Sequence, residues 1–198
     1  MKKFTLLLPL FLLFLYAPLL SQTVVPVPAG TDGLAAACAA ASAGDIIELT
    51  TNGGLYTETA KLVIDKPLTI RAASGLVQKP LLVSGAADAM IQFSADFTLA
   101  GVILDGAQGA VPTAVGITNS PNTSGYNLTV LNSDFINLDN ADHSKGFGIF
   151  GVPSSVVDTV LIQNCTFAHI LDMGISFNDP LTATGSVNVF KADNCTFW

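Results

Sequence analysis

The sequence predicts an all-β solenoid, a parallel β-helix opened by a short capping helix. Two observations carry that reading. Short segments of alternating apolar and polar residues recur with a common period near thirty. No run of closely spaced hairpin turns separates them, and no helical crossover follows residue 42, so neither an antiparallel sandwich nor a βαβ sheet accounts for the pattern. A strand of roughly five residues makes no core alone. Stacking such strands from successive turns, about 4.8 Å apart, buries one continuous inner column.

The chain opens with Met1-Lys2-Lys3, then an almost unbroken apolar run from Phe4 to Leu20. Small Ser21 precedes Gln22. This is the layout of a signal peptide over residues 1–21. The rival reading is a membrane anchor. Pro9, Pro18 and the lack of a basic flank after the run favour cleavage. No Cys follows the run, which argues against a lipid anchor. Residues 22–198 are then expected to form one domain, secreted or held at the cell surface or in the periplasm, with no membrane insertion after cleavage.

Residues 34–42 read as a short helix, with Asp32 as N-cap and Gly44 as its stop. Beyond Asp45 the chain reads as short strands rich in Ile, Val, Leu, Thr and Phe. One series begins at Leu68, Phe97, Leu128, Val160 and Val187, at spacings of 29, 31, 32 and 27 residues. A second interleaves with it: Ile91–Phe93, Val115–Ile117, Phe147–Ile149 and Gly174–Phe177. Asn132, Asn164 and Asn194 recur at one position and are expected to stack at a corner. Asn accepts the left-handed backbone of a tight corner, and its amide can bond the Asn above and below. Phe135, Phe167 and Phe197 are expected to stack inward just beyond.

The opening coil carries a resemblance. Ala43-Gly-Asp45-Ile-Ile-Glu-Leu49, Gly53-Gly-Leu-Tyr56, Lys66-Pro-Leu-Thr-Ile-Arg71 and Lys79-Pro80 resemble the first coil of the pectate-lyase-like superfamily. The chain looks most like exported Bacteroidetes-type β-helix proteins, which include alginate-lyase and chondroitinase-B relatives and domains of unknown function. The resemblance covers about residues 30–198 and implies a right-handed parallel β-helix. It implies less about activity, because active and inactive members share the opening motif. The catalytic Lys and Arg of the lyase relatives find no counterpart that aligns; Arg71 is the only Arg and lies in the first coil. Phe197-Trp198 falls inside a repeat strand, so the solenoid is expected to continue in a longer protein, of which these are the N-terminal coils.

Charge narrows the partners. Lys2 and Lys3 leave with the signal segment, so six of 8 basic residues face 15 acidic ones, a mature net charge of −9. Such a surface disfavours nucleic acid and anionic membranes. It also disfavours acidic polysaccharides unless a basic patch or a cation intervenes. Cys38, Cys165 and Cys195 are too few for a disulfide framework. Cys165 and Cys195 occupy equivalent positions, either as a disulfide between coils or as stacked thiols in the core. Asn122, Asn127, Asn164 and Asn194 begin glycosylation-type sequons but read better as turn and ladder residues.

Candidate chemistry lies on one edge. Leu104 to Ile117 spans 13 residues and Phe135 to Ile149 spans 14, against 8 for Phe167 to Ile175. Asp105–Thr113 and Asp139–Gly146 are therefore adjacent excursions that can wall a groove. In Asp139-Asn-Ala-Asp142-His143-Ser-Lys145-Gly146, acid, imidazole and ammonium converge. His143 or Lys145 is a candidate base for abstracting a proton beside a uronate carboxylate. Asp139 and Asp142 are a candidate calcium pair that would screen that carboxylate. Asn137, His169 and Asp172 align across coils as a candidate sugar-hydroxyl patch. Tyr56 and Tyr126 are candidate sugar-stacking rings, although Tyr56 also belongs to the first-coil pattern. The plainer reading of each group is ordinary polar surface or structure. The leading function is a secreted β-helix module that binds a polysaccharide or cell-surface glycan, or serves a structural role. The alternatives are the N-terminal part of a polysaccharide lyase or glycoside hydrolase, and a self-associating scaffold.

Overall fold

The middle coils run through three strands in turn, and each strand pairs in parallel with its counterparts in the neighbouring coils. The first sheet is built from β1 (Val24–Val27), β3 (Ile46–Leu49), β6 (Leu68–Ala72), β9 (Phe97–Ala100), β12 (Ser124–Leu131), β15 (Val156–Gln163) and β18 (Ser186–Asp193). The second contains β2 (Gly30–Thr31), β4 (Leu55–Glu58), β7 (Leu81–Ser84), β10 (Ile103–Asp105), β13 (Asp134–Ile136), β16 (Thr166–Ala168) and β19 (Thr196–Phe197). The third holds β5 (Leu62–Ile64), β8 (Ala89–Phe93), β11 (Val115–Asn119), β14 (Phe147–Phe150) and β17 (Met173–Ser176). This computed structural model describes residues 22–109, 111–152, 154–177 and 186–198. The expected signal segment, 1–21, lies outside them.

Three inward columns make the core. Ile47, Ile70, Leu99, Val130 and Ile162 succeed one another in register on the first sheet. Tyr56, Leu82, Leu104, Phe135 and Phe167 do so on the second. Leu62, Ile91, Ile117 and Ile149 do so on the third. All are buried. The last coil departs from the expected alignment. Phe190 and Ala192, not Val187 and Val189, lie opposite Val160 and Ile162. Val187 pairs with Val157 instead, because β15 and β18 both begin before the repeat motif.

The first coil has a helix where later coils have a third strand. α1 spans Gly33–Ala40 and lays Leu34 and Cys38 over the end of the core. Asp32 sits at the N-cap in a left-handed conformation, but its side chain makes no cap bond. Asp32 accepts from the Thr59 N–H at 2.7 Å instead. The capping carboxylate comes from the next coil. Buried Glu58 accepts the Leu34 and Ala35 N–H groups, both at 3.2 Å, a favourable place for an anion at a helix N-terminus. At the other end Lys66 Nζ donates to the Ala39 and Ala41 carbonyls, both at 3.1 Å. The rest of the first-coil signature is structural too. Asp45 accepts from the Thr23 and Ser42 N–H groups, and these bonds hold its carboxyl below the usual range. Arg71 pairs with Glu48 at 2.9 Å, and Lys79 with Asp134 at 2.7 Å.

The expected ladders are present. Asn132, Asn164 and Asn194 have φ of 51°, 55° and 50°. Asn164 Nδ2 donates to Asn132 Oδ1 at 3.1 Å, and Asn194 Nδ2 to Asn164 Oδ1 at 2.7 Å. Phe135, Phe167 and Phe197 stack with centroids 4.8 Å apart at each step. Glycines on the third sheet make room for these rings. A Cβ at Gly148 would lie 2.6 Å from Phe167 Cδ1 and 2.5 Å from the Gly174 carbonyl oxygen. Gly116 and Gly174 stand equally close to Phe135 and Phe197. The three cysteines are free thiols; Cys165 and Cys195 repeat as stacked thiols, and no disulfide joins them. Burial pushes the Cys38 thiol up to about 12.

Gly148→Ala is expected to destabilise the fold by about 1–3 kcal/mol, because backbone and ring must both shift. Gly30→Ala, where an added Cβ meets nothing within 4 Å, is expected to be near neutral. Chemical denaturation of both variants checks the contrast.

Candidate functional site

The corner between the second and third sheets carries the two connections expected to wall a groove. Residues 106–114 link β10 to β11, and residues 137–146 link β13 to β14. They are neighbours: the Asp139 N–H donates to the Thr113 carbonyl at 3.2 Å. Thr113 is itself buried and donates its hydroxyl to the Ala86 carbonyl at 2.8 Å. Asp105 belongs to the end of β10, buried, and accepts from Asn137 Nδ2 at 3.0 Å.

Asn140 organises the second loop. Its Oδ1 accepts the Ser144 and Lys145 N–H groups at 2.7 and 3.0 Å, and its Nδ2 donates to Ser144 Oγ at 2.9 Å. The His143 N–H closes the turn on the Asn140 carbonyl at 3.0 Å. His143 takes the left-handed conformation there, with φ 54°. Its Nδ1 meets Asp139 Oδ2 while the rest of the ring stands in solvent. The hydrogen bond to Asp139, then the charge of that carboxylate, raises the His143 pKa above its ordinary value. Asp142 Oδ1 accepts the Ser144 hydroxyl at 2.7 Å, which holds its carboxyl below the usual range.

This loop and the outer face of the third sheet enclose an open cleft of about 970 Å³. Phe147 and Phe150 lie on its floor with ring centroids 4.7 Å apart. Asn140, Asp142, Ser144, Lys145 and Asp172 form one wall, and Lys61, Asp88 and Gln92 lie towards the other end. Lys61 is paired with Asp88 at 2.7 Å.

The structure gathers some of the sequence candidates and separates others. Asp142, Lys145 and Asp172 line this cleft, while Asp139 and His143 form their pair outside its lining. Asp172 stands beside Gly146, accepting its N–H at 3.1 Å; the longer loop of the preceding coil displaces Asn140 from the simple 32-residue alignment. Asn137 and His169 sit in a separate shallow groove on the second sheet, where His169 meets the Trp198 ring edge-on at 4.8 Å. The candidate calcium pair lacks a shell. Asp139 Oδ2 is taken by His143 and Asp142 Oδ1 by Ser144. Among the described residues no three His, Cys, Asp or Glu side chains converge, far short of the roughly six to eight oxygens calcium takes.

The expected sugar-stacking tyrosines are core residues. Tyr56 donates to the Val27 carbonyl at 2.9 Å, and Tyr126 bonds Thr123 Oγ1 at 2.7 Å; both are buried. The accessible aromatic pair is Phe147 and Phe150; the sequence places Phe147 in the strand Phe147–Ile149 and does not single out Phe150. Residues three apart take opposite faces of an unbroken strand with period two. Here Gly148 and Ile149 are both buried, with Phe147 and Phe150 half-buried on either side, so the alternation breaks in the middle of β14 while the pairing with β11 keeps its register.

No protein-family model and no curated protein matches the chain. Solved structures do match. The PL6 family alginate lyase AlyGC superposes with a TM-score of 0.76 at 24% identity, over 89% of this chain and 24% of that one. An arginine-to-alanine variant of the same enzyme gives 0.74 at 24% identity, over the same shares. The chain thus spans about a quarter of the length of the structures it matches, and likeness at this identity speaks to fold. Among the described residues no helix is long and apolar enough to cross a membrane. The chain is a right-handed parallel β-helix, the fold of the solved structures that it matches.

Proposed function

We propose that this chain is an exported β-helix module, with residues 22–198 as its domain, that binds a polysaccharide along the cleft on its third sheet. One observation carries the reading. Phe147 and Phe150 present a half-buried ring pair on the floor of an open cleft, beside Lys145, which has no salt bridge among the described residues, and the carboxylates of Asp142 and Asp172. Rings that take the C–H face of a sugar, with polar groups beside them to meet its hydroxyls, are what an elongated carbohydrate requires. The likeness to an alginate lyase supports a glycan as the ligand class.

A second reading has its own observation. Asp139 orients the His143 ring through Nδ1 and leaves the other ring nitrogen facing solvent, the arrangement of a general base held by a carboxylate. In this reading the chain contributes to β-elimination of a uronate polymer. His143 takes the proton, and Lys145 answers the charge that develops.

Titration calorimetry against alginate, pectate, chondroitin and neutral glycans tests the first reading. Phe150→Ala is expected to weaken binding roughly tenfold, equivalent to about 1.4 kcal/mol. Binding indifferent to Phe150 would remove the cleft as the site. Ultraviolet absorbance of the unsaturated uronate product tests the second. A base must be neutral, so turnover should rise with pH through the raised His143 pKa. Asp139→Asn removes the cause of the shift and should move that limb to lower pH. Absence of product on every uronate polymer would eliminate this second reading.

A further inference from the structure

We infer that the cleft takes a neutral glycan, a hexose or pentose polymer without carboxylate or sulfate, rather than a polyuronate. This rests on the glycan-binding reading above. It runs against the substrate of the alginate lyase whose fold the chain shares, and the reason is charge.

A polyuronate brings a carboxylate on every sugar. Seating several of them needs several cations, or a metal that neutralises them. Among the described residues the cleft supplies two cations, Lys61 and Lys145, against three carboxylates, Asp88, Asp142 and Asp172. Lys61 already answers Asp88. That leaves Lys145 alone against Asp142 and Asp172. No guanidinium helps, since the only Arg in the chain, Arg71, is tied to Glu48 on the first sheet. The nearby Asp139–His143 pair adds no net positive charge even with the imidazole protonated. The acidic residues of the loop do not assemble a calcium site that would reverse the sign. Over residues 22–198, 15 acidic residues oppose six basic ones, so the long-range field also repels an anionic polymer.

The same groups suit neutral sugars. Carboxylates accept hydroxyl protons, and charge-assisted bonds of this kind are among the stronger ones. Asp142 and Asp172 each spend one oxygen on the loop backbone or Ser144 and keep the other as an acceptor. Gln92 can donate and accept, and Lys145 donates. A uronate carboxylate offers no proton to Asp142 or Asp172 and faces them as a like charge.

The test is calorimetry on the intact chain with length-matched neutral oligosaccharides (β-glucan, xylan and mannan types) and uronate oligosaccharides (alginate, pectate). Each is measured at low and at physiological salt. Expected is binding of at least one neutral series, roughly tenfold or more tighter than any uronate and changing less than about twofold with salt, since screening acts on charged pairs. The Asp142→Asn, Asp172→Asn double variant should narrow the gap by strengthening uronate binding. Uronate binding equal to or tighter than neutral binding, lost in Phe150→Ala, would overturn this inference and leave the cleft reading standing. No binding of either class, or binding indifferent to Phe150→Ala, would overturn both.

Discussion

Parallel hydrogen bonding from coil to coil, in one register, is the constraint on which the rest of this molecule depends. A three-residue strand such as β13 buries only one large side chain, Phe135. It is stable because Leu104 lies below that ring and Phe167 above it. The same bonds that fix the register fix the side-chain columns, and a slip of one residue would turn every column outward. Features that look incidental serve this register. The left-handed Asn corners make the chain turn at one place in three successive coils. The glycines of β11, β14 and β17 clear space for the phenylalanines. Glu58 reaches back one coil to hold the helix that closes the first end.

A register so strictly held leaves only the corners free to vary. Insertions between the second and third sheets cost the core nothing, because the strands resume their pairing on the far side. Phe147 resumes opposite Val115 after a connection that differs in both length and sequence. The second of two successive insertions at this corner, residues 137–146, supplies a wall, and the outer face of the third sheet becomes a floor. The break in alternation within β14 leaves both Phe147 and Phe150 on that floor, while Ile149 stays in the core. The cleft is therefore made by the solenoid repeat together with its local exceptions.

The repeat was legible in the sequence, and so were the Asn and Phe ladders, because a period written several times over is hard to mistake. What escaped was written once or depends on geometry. The capping role of Glu58 joins residues 24 apart through an inter-coil contact that no local motif records. The second strand of each coil went partly unread, since strands as short as β13 and β16 carry a single large core residue. Tyr126 looked like a surface ring, yet it packs edge-on against Phe93 at 5.3 Å in the core. The loop at Asp139–Gly146 was identified as a polar cluster, but its organiser, Asn140, was not, because its role rests on bonds to backbone N–H groups four and five residues ahead.

Hydrogen–deuterium exchange with a bound glycan tests the placement of the site most directly. Slowed exchange is expected at the amides of residues 139–146 and at Leu171 and Asp172, which border the cleft. The second sheet should be unchanged around Asn137 and His169. Protection confined to Asn137, His169 and Trp198, with residues 139–146 unaffected, would contradict the account and move the binding face to the other groove.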